Sequence, residues 1–216
     1  IGINSQPNQN QPKDYFNSFS VYDHKLNIID SYNKINLVPF GEFLPFEEFF
    51  KNIGLRSITN NYNSFSKGSR RNIIDIKNQD FSLKILPLIC YEIIYSGKIS
   101  DNNNFDLIIN ISEDGWFGKS IGPKQHFSHS IFRAIESGKY LVRSSNNGIA
   151  AIVNPLGIVE KKVNFGKSGY IDFTESKEIQ PTVFSKLGNK IFGLLILLYI
   201  FFIFSFSFVF SFKRIN

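Results

Sequence analysis

Apolar residues in this chain gather in a few runs of different kinds, separated by polar stretches. Leu83 to Ile89 and Phe105 to Ile111 are mostly apolar and seven residues long, the pattern of strands buried on both faces. Tyr15 to Tyr22 alternates instead. Phe16, Ser18, Ser20 and Tyr22 fall on one side, and Tyr15, Asn17, Phe19 and Val21 on the other. The polar stretch Asp23 to Asn27 supplies a turn into a second strand, so this region predicts a hairpin. Ile1 to Ile3 reads as the end of a further strand, and Asn4 to Lys13 as a polar loop. From Gln125 to Ser137 the period becomes helical, with Phe127, Ile131, Ala134 and Ile135 on one face and Gly138 as the stop. Tyr140 to Val163 predicts several strands, with Pro155-Leu156-Gly157 at a turn between two of them. Leu44 to Lys67 carries Phe and Leu without clean periodicity and reads as a loop with a short helix. Its aromatic residues suit either ordinary packing or entry into a membrane surface.

The longest run, 191–212, contains no charge. Its 22 residues would reach about 33 Å as a helix, enough for a bilayer core, whereas buried core helices rarely stay apolar on every face at such length. The pattern predicts a C-terminal membrane span. Lys186 and Lys190 precede it and Lys213 and Arg214 follow, so the charge rule gives no orientation. Strands alternating with helices, followed by more strands, predict an α/β layered domain. The boundaries drawn are a domain at 1–185 and an anchoring segment with basic flanks at 186–216.

Composition narrows the function classes. Net charge is +6 over 216 residues, with basic residues scattered among acidic ones. No stripe of Lys and Arg interleaved with aromatics appears, which argues against nucleic acid as a partner and leaves an anionic lipid surface as a fitting one. A single cysteine cannot form an internal disulfide. The chain begins at Ile1, holds no methionine and shows no signal-peptide pattern, which predicts a piece lacking an N-terminal part.

That cysteine, Cys90, ends the apolar run and is followed by Tyr91 and Glu92. A lone Cys is most often a small buried apolar residue. A thiol presented at a strand end beside titratable groups is also where a nucleophile stands. Upstream lies Lys34-Ile35-Asn36-Leu37-Val38-Pro39-Phe40-Gly41-Glu42. Downstream lie Trp116-Phe117-Gly118-Lys119-Ser120-Ile121-Gly122-Pro123 and Arg143-Ser144-Ser145-Asn146-Asn147-Gly148. In this order the segments resemble the carbon-nitrogen hydrolase (nitrilase) superfamily, and within it the membrane-bound apolipoprotein N-acyltransferase branch. The resemblance covers roughly residues 1 to 212, and it is specific through the combination of motifs rather than through any one of them.

The resemblance implies an αββα sandwich, incomplete at its N-terminus and followed by one C-terminal transmembrane helix. It implies an acyltransferase that moves an acyl chain from a phospholipid, through a Cys thioester, to the N-terminal amine of a diacylglyceryl-modified apolipoprotein. The alternative from the same superfamily is an amidase or nitrilase acting on a small amide. A third reading is a membrane-anchored fragment that only binds or scaffolds. The implied place is the bacterial inner membrane, with the catalytic domain on the periplasmic side. No cofactor is implied. His126 and His129 lie three apart, but without a third ligand they do not predict a metal site.

By motif match, Cys90 corresponds to the nucleophile and Lys34 to the catalytic lysine. A lysine ammonium favours the thiolate and stabilises an oxyanion; without the motif, Lys34 reads as a solvated surface residue. Glu42, Glu92 and Tyr91 are implied supports of the active site. Tyr91 brings the backbone N–H that follows the nucleophile, and a salt bridge or strand-end cap is the other reading of Glu92. Trp116, flanked by Gly115 and Phe117-Gly118, predicts either a ring over a pocket or one packed on the core. One part of the pattern has no match. The family's general-base glutamate precedes the lysine in a Pro-Glu pair, whereas the first glutamate here is Glu42, after Lys34.

Overall fold

The computed structural model describes residues 1–6, 15–46, 64–77, 81–97, 99–100, 104–175 and 177–213, with side chains in the last helix described to residue 206. Residues 47–63, which hold most of the stretch read above as a loop with a short helix, lie outside that description.

Strands β1 (Gly2–Ser5), β2 (Phe16–Tyr22) and β3 (Ile28–Asn33) form an antiparallel sheet in sequence order. The expected hairpin is β2–β3. Its turn is organised by Asp23, whose Oδ1 accepts from the backbone N–H of Lys25 and of Asn27 at 2.8 Å each. An Asp side chain closing its own turn is what makes Asp so frequent there. Phe19 lies opposite Tyr32, and both rings are buried on the inner face.

The second sheet has six strands in the order β4 (Ile74–Lys77), β5 (Ser82–Ile89), β6 (Leu107–Glu113), β7 (Tyr140–Asn146), β8 (Ala150–Val153) and β9 (Val159–Val163). Strands β5, β6 and β7 run parallel, while the outer pairings are antiparallel. Pro87 is tolerated in a central strand because β4 pairs only with Ser82 to Ile85. Its missing N–H therefore falls beyond the end of that neighbour.

The period-two rule divides the core into two sides. Leu86, Leu88, Ile108, Leu141, Ala151 and Val153 face helix α1 (Gly122–Ser137) and pack with its Ala134, Phe127 and Ile131. Ile85 and Ile89, with Ile109 and Ile111, face Phe19 and Tyr32 of the smaller sheet. Farther along, Leu107, Tyr140 and Ile152 are covered by Ile171 and Phe173. Helix α1 ends at Gly138, whose φ of 66° favours glycine and whose N–H returns to Ala134. Three of the four layers of the expected αββα sandwich are thus present among the described residues: α1, the six-stranded sheet and the three-stranded sheet.

Two findings differ from the sequence reading. The face of α1 read as its apolar stripe is only partly buried. The deepest residues are Pro123, His126, Ser130, Arg133, Ala134 and Ser137, a largely polar stripe. The reason is local, because this stripe lies against the turn that follows β5 and supplies its carbonyls with donors. At the C-terminus, α2 (Val183–Leu187) is capped by Thr182, and α3 runs Lys190–Lys213. Phe192 to Phe206 present large apolar side chains to solvent along its length. Among the described residues, however, no helix is long and apolar enough to cross a membrane. The expected span over 191–212 is therefore not shown.

Candidate active site

Strand β5 delivers Cys90 to the rim of the six-stranded sheet, where Cys90–Ile94 form a 3-10 turn. Cys90 adopts φ of 48°. A non-glycine residue in the left-handed region costs on the order of 1–3 kcal/mol and persists only where its surroundings impose it. The surroundings are visible. Glu92 is fully buried and its Oε2 accepts the Ile89 N–H at 2.9 Å, fixing the entry to the turn. Its Oε1 accepts from Tyr32 Oη at 2.6 Å, from the N–H groups of Ile35 and Asn36 at 3.2 Å each, and from Arg71 Nη2 at 3.2 Å. Burial, reinforced by the Glu92 charge, pushes the Tyr32 phenol well above its usual range, so Tyr32 remains a donor. Glu92 is thus the tie between the two sheets and is not a simple strand-end cap.

Lys34 follows directly on β3. It is fully buried, which excludes the solvated-lysine reading. Its Nζ lies 2.8 Å from both carboxylate oxygens of Glu42. Glu42 is folded back toward it by a tight turn in which the Glu42 N–H bonds the Val38 carbonyl at 2.8 Å. Asn17 Nδ2 and the Val38 N–H donate to the same carboxylate, both at 2.8 Å. Because Glu92 holds the two residues after Lys34 against the turn that carries Cys90, the Lys34 and Cys90 segments meet at one rim. Cys90 and Ile35 pack against the same buried group. Lys34 and Cys90 follow strands of different sheets, β3 and β5.

Tyr91 is half-buried and meets Tyr95 edge to face, with ring centroids 6.0 Å apart. Trp116 is 76% exposed in a short 3-10 turn, so the core-packing alternative fails. Its neighbour Phe117 is less exposed, and its ring lies 5.4 Å from that of His126.

Beneath Cys90 lies a buried polar cluster in which only Arg143 belongs to a motif quoted above. Asn110 of β6 and Arg143 of β7 are register partners on the helix side of the sheet. Arg143 donates to Asn110 Oδ1 and, through Nη2, to both oxygens of Asp114 at 2.9 and 2.7 Å. Asp114 also accepts from Ser112 Oγ at 2.8 Å and lies 2.8 Å from His126 Nδ1. His126 Nε2 stands 3.2 Å from the Cys90 carbonyl oxygen. Burial acts to raise the Asp114 carboxyl, but the His126 bond, the Arg143 charge and the other donors outweigh it and hold the group below the usual carboxylate range. Burial lowers the Arg143 guanidinium, against the pull of Asp114. Gly148 passes so close to Asp114 and Ser145 that any Cβ there would collide with both side chains. A signal for the cluster was present in the sequence: Asn110 and Arg143 interrupt apolar strands, and polar groups buried in a strand must find partners.

A carbon-nitrogen hydrolase family model matches residues 1–179 of this chain. The chain belongs to the carbon-nitrogen hydrolase family. It is 36% identical over 186 residues to a Bradyrhizobium diazoefficiens protein named apolipoprotein N-acyltransferase, covering 86% of this chain and 34% of that one. A Rickettsia prowazekii protein of the same name is 37% identical over 201 residues, covering 92% and 39%. The chain thus spans about a third of the length of the curated relatives it matches. Among solved structures, a Saccharomyces cerevisiae member of branch 10 of the nitrilase superfamily superposes with a TM-score of 0.54 at 18% identity, over 77% of this chain and 55% of that one. An amidase from Nesterenkonia sp. gives a TM-score of 0.50 at 15% identity, over 76% and 56%. These structures share the fold of this carbon-nitrogen hydrolase chain: paired sheets under a helical layer.

Proposed function

We propose that this chain forms the acyl-transferring part of an apolipoprotein N-acyltransferase. Cys90 Sγ attacks the ester carbonyl of a phospholipid, and the oxyanion that forms is stabilised by the Lys34 ammonium and the Tyr91 N–H. Collapse breaks the ester C–O bond, expels a lysophospholipid whose oxygen takes up a proton, and leaves a thioester on Cys90. The amine of a diacylglyceryl-modified N-terminal cysteine then attacks the thioester carbonyl. It gives up a proton as Cys90 departs as thiolate. Glu42 positions Lys34, and Glu92 positions the turn that presents Cys90. The proton steps need a general base that no motif in this chain supplies, since Glu42 is engaged with Lys34. Residues 1–185 are the catalytic domain and 186–216 the anchoring segment. The uncharged run 191–212 holds the chain at the bacterial inner membrane, with the catalytic domain on the periplasmic side. Membrane phospholipid and lipoprotein are the partners.

The observation that carries this reading is the likeness, along 86% of the chain, to a protein named for that activity. The test offers the full-length protein short aliphatic amides in one arm, and phospholipid with a diacylated lipopeptide in the other. Acyl transfer to the lipopeptide is expected to dominate. Faster turnover of the amides would overturn the assignment in favour of an amidase.

Lys34 provides a second check. In the full-length protein, Lys34→Met is expected to slow iodoacetamide alkylation of Cys90 at neutral pH by about tenfold, since it leaves the Glu42 carboxylate unbalanced near a nucleophile that reacts as its anion. Alkylation at the unmodified rate would remove Lys34 from the chemistry.

A further inference from the structure

We propose that His126 is a positioning residue for the oxyanion donor, acting through the peptide unit that joins Cys90 to Tyr91. The inference rests on reading Cys90 as the acyl-accepting nucleophile. In a planar trans peptide the C=O of one residue and the N–H of the next point in opposite directions. A bond that fixes the Cys90 carbonyl therefore aims the Tyr91 N–H to the other side of the peptide plane. The first N–H groups of a 3-10 turn have no partner within the turn, so this N–H can meet a substrate oxygen. His126 Nε2 lies 3.2 Å from the Cys90 oxygen. A carbonyl oxygen only accepts, so this contact tethers the peptide when Nε2 carries the hydrogen. The other nitrogen, Nδ1, lies 2.8 Å from Asp114 Oδ1 and 3.1 Å from Arg143 Nη2. Nε2 carries that hydrogen in the charged ring, with Nδ1 donating to Asp114, and in the neutral ring whose Nδ1 accepts from Arg143; a neutral ring with its hydrogen on Nδ1 would leave the carbonyl without this donor.

The mount is rigid enough for the task. His126, Asp114 and Arg143 are each almost fully buried, and the Phe117 ring packs on the imidazole. Cys90 sits in a strained backbone conformation, so its peptide plane would relax without a tether at the carbonyl. A donor on the carbonyl also polarises the peptide, which strengthens its N–H as a donor. Asp114 and Arg143 act one step further back by holding the ring.

The experiment separates acylation from alkylation. Acylation of Cys90 by p-nitrophenyl butyrate passes through an oxyanion, whereas displacement of iodide from iodoacetamide does not. In the full-length protein in detergent, His126→Phe keeps ring packing and removes the donor. The burst rate of p-nitrophenolate release is expected to fall by about 10- to 100-fold, the lower part of the range for losing an oxyanion donor. Iodoacetamide alkylation should stay within about threefold, because an exposed thiolate needs no oxyanion donor. His126→Gln, which restores an N–H of similar reach, is expected to recover most of the burst rate. If the Phe variant does not fold, His126→Met gives the same reading with a flexible apolar side chain. Parallel loss of both reactions in a folded variant, or an unchanged burst, would overturn the proposal. Absence of a Cys90-dependent burst in the unmodified protein would overturn the nucleophile assignment itself, and this inference with it.

Discussion

Cys90→Ala in the full-length protein is expected to eliminate both the acyl-enzyme and transfer to lipopeptide, a loss of at least about 10³-fold as for other covalent nucleophiles. The structure separates this from unfolding. Cys90 is only partly buried at the rim of the sheet, and among the described residues its sulfur forms no disulfide. The bonds that impose its backbone conformation come from Glu92 and His126 and reach main-chain atoms of Ile89 and Cys90. They survive truncation to alanine, so the thermal midpoint should move by no more than a few degrees. Mass spectrometry of the protein after incubation with phospholipid reads the acyl adduct directly. An adduct that persists on Cys90→Ala, or transfer that continues, would remove Cys90 from the mechanism whatever the fate of the other residues.

How far the sequence revealed this arrangement depends on which forces set each part. Strands β5 and β6 were legible because parallel central strands are covered on both faces and read as nearly continuous apolar runs. The β2–β3 hairpin was legible because Phe19 and Val21 alternate with Ser18 and Ser20 and because Asp23 announces the turn, although both serines prove as buried as Phe19. Strand β4 was not. Its four residues include Asp75 and Lys77, which pair with each other at 2.6 Å, and its strand character comes from β5 rather than from its own pattern. The motifs brought Lys34, Glu42, Cys90 and Glu92 to attention, but not that two sheets contribute them, because sheet partnership is a long-range property. The polar stripe of α1 escaped the periodicity argument for a similar reason. Arg133 donates to the carbonyls of Ile94 and Tyr95 and pairs with Glu136. A helix that serves a catalytic turn buries a polar stripe beside its apolar one, which a hydropathy pattern does not reveal: Ala134, Phe127 and Ile131 do pack on the core.

The largest stability effect is expected at Asp114. Asp114→Ala leaves the Arg143 guanidinium fully buried with its carboxylate gone, and breaking a buried pair by removing one partner typically costs about 3–5 kcal/mol. Asp114→Asn should cost less, since an amide oxygen still accepts from Arg143 or Ser112. The pH dependence follows from the direction of the shift. The folded carboxyl is held below its usual range, so the unfolded chain takes up the proton first. Its stabilising contribution is complete above about pH 4, where an unfolded Asp is ionised, and is lost as the pH falls from there toward the folded value. Thermal midpoints measured from pH 3 to 7 should therefore drop less steeply toward acid in Asp114→Asn than in the unmodified protein. Equal slopes would mean that Asp114 is not the titrating group. Removing both partners is the sharper comparison. In Asp114→Leu alone the guanidinium is stranded, whereas Asp114→Leu with Arg143→Met replaces the pair by apolar groups and strands no charge. The double variant is expected to be more stable than the single one, even though it carries one more change. If it is less stable, Arg143 holds the sheet through Asn110 and the Ile149 carbonyl more than through Asp114.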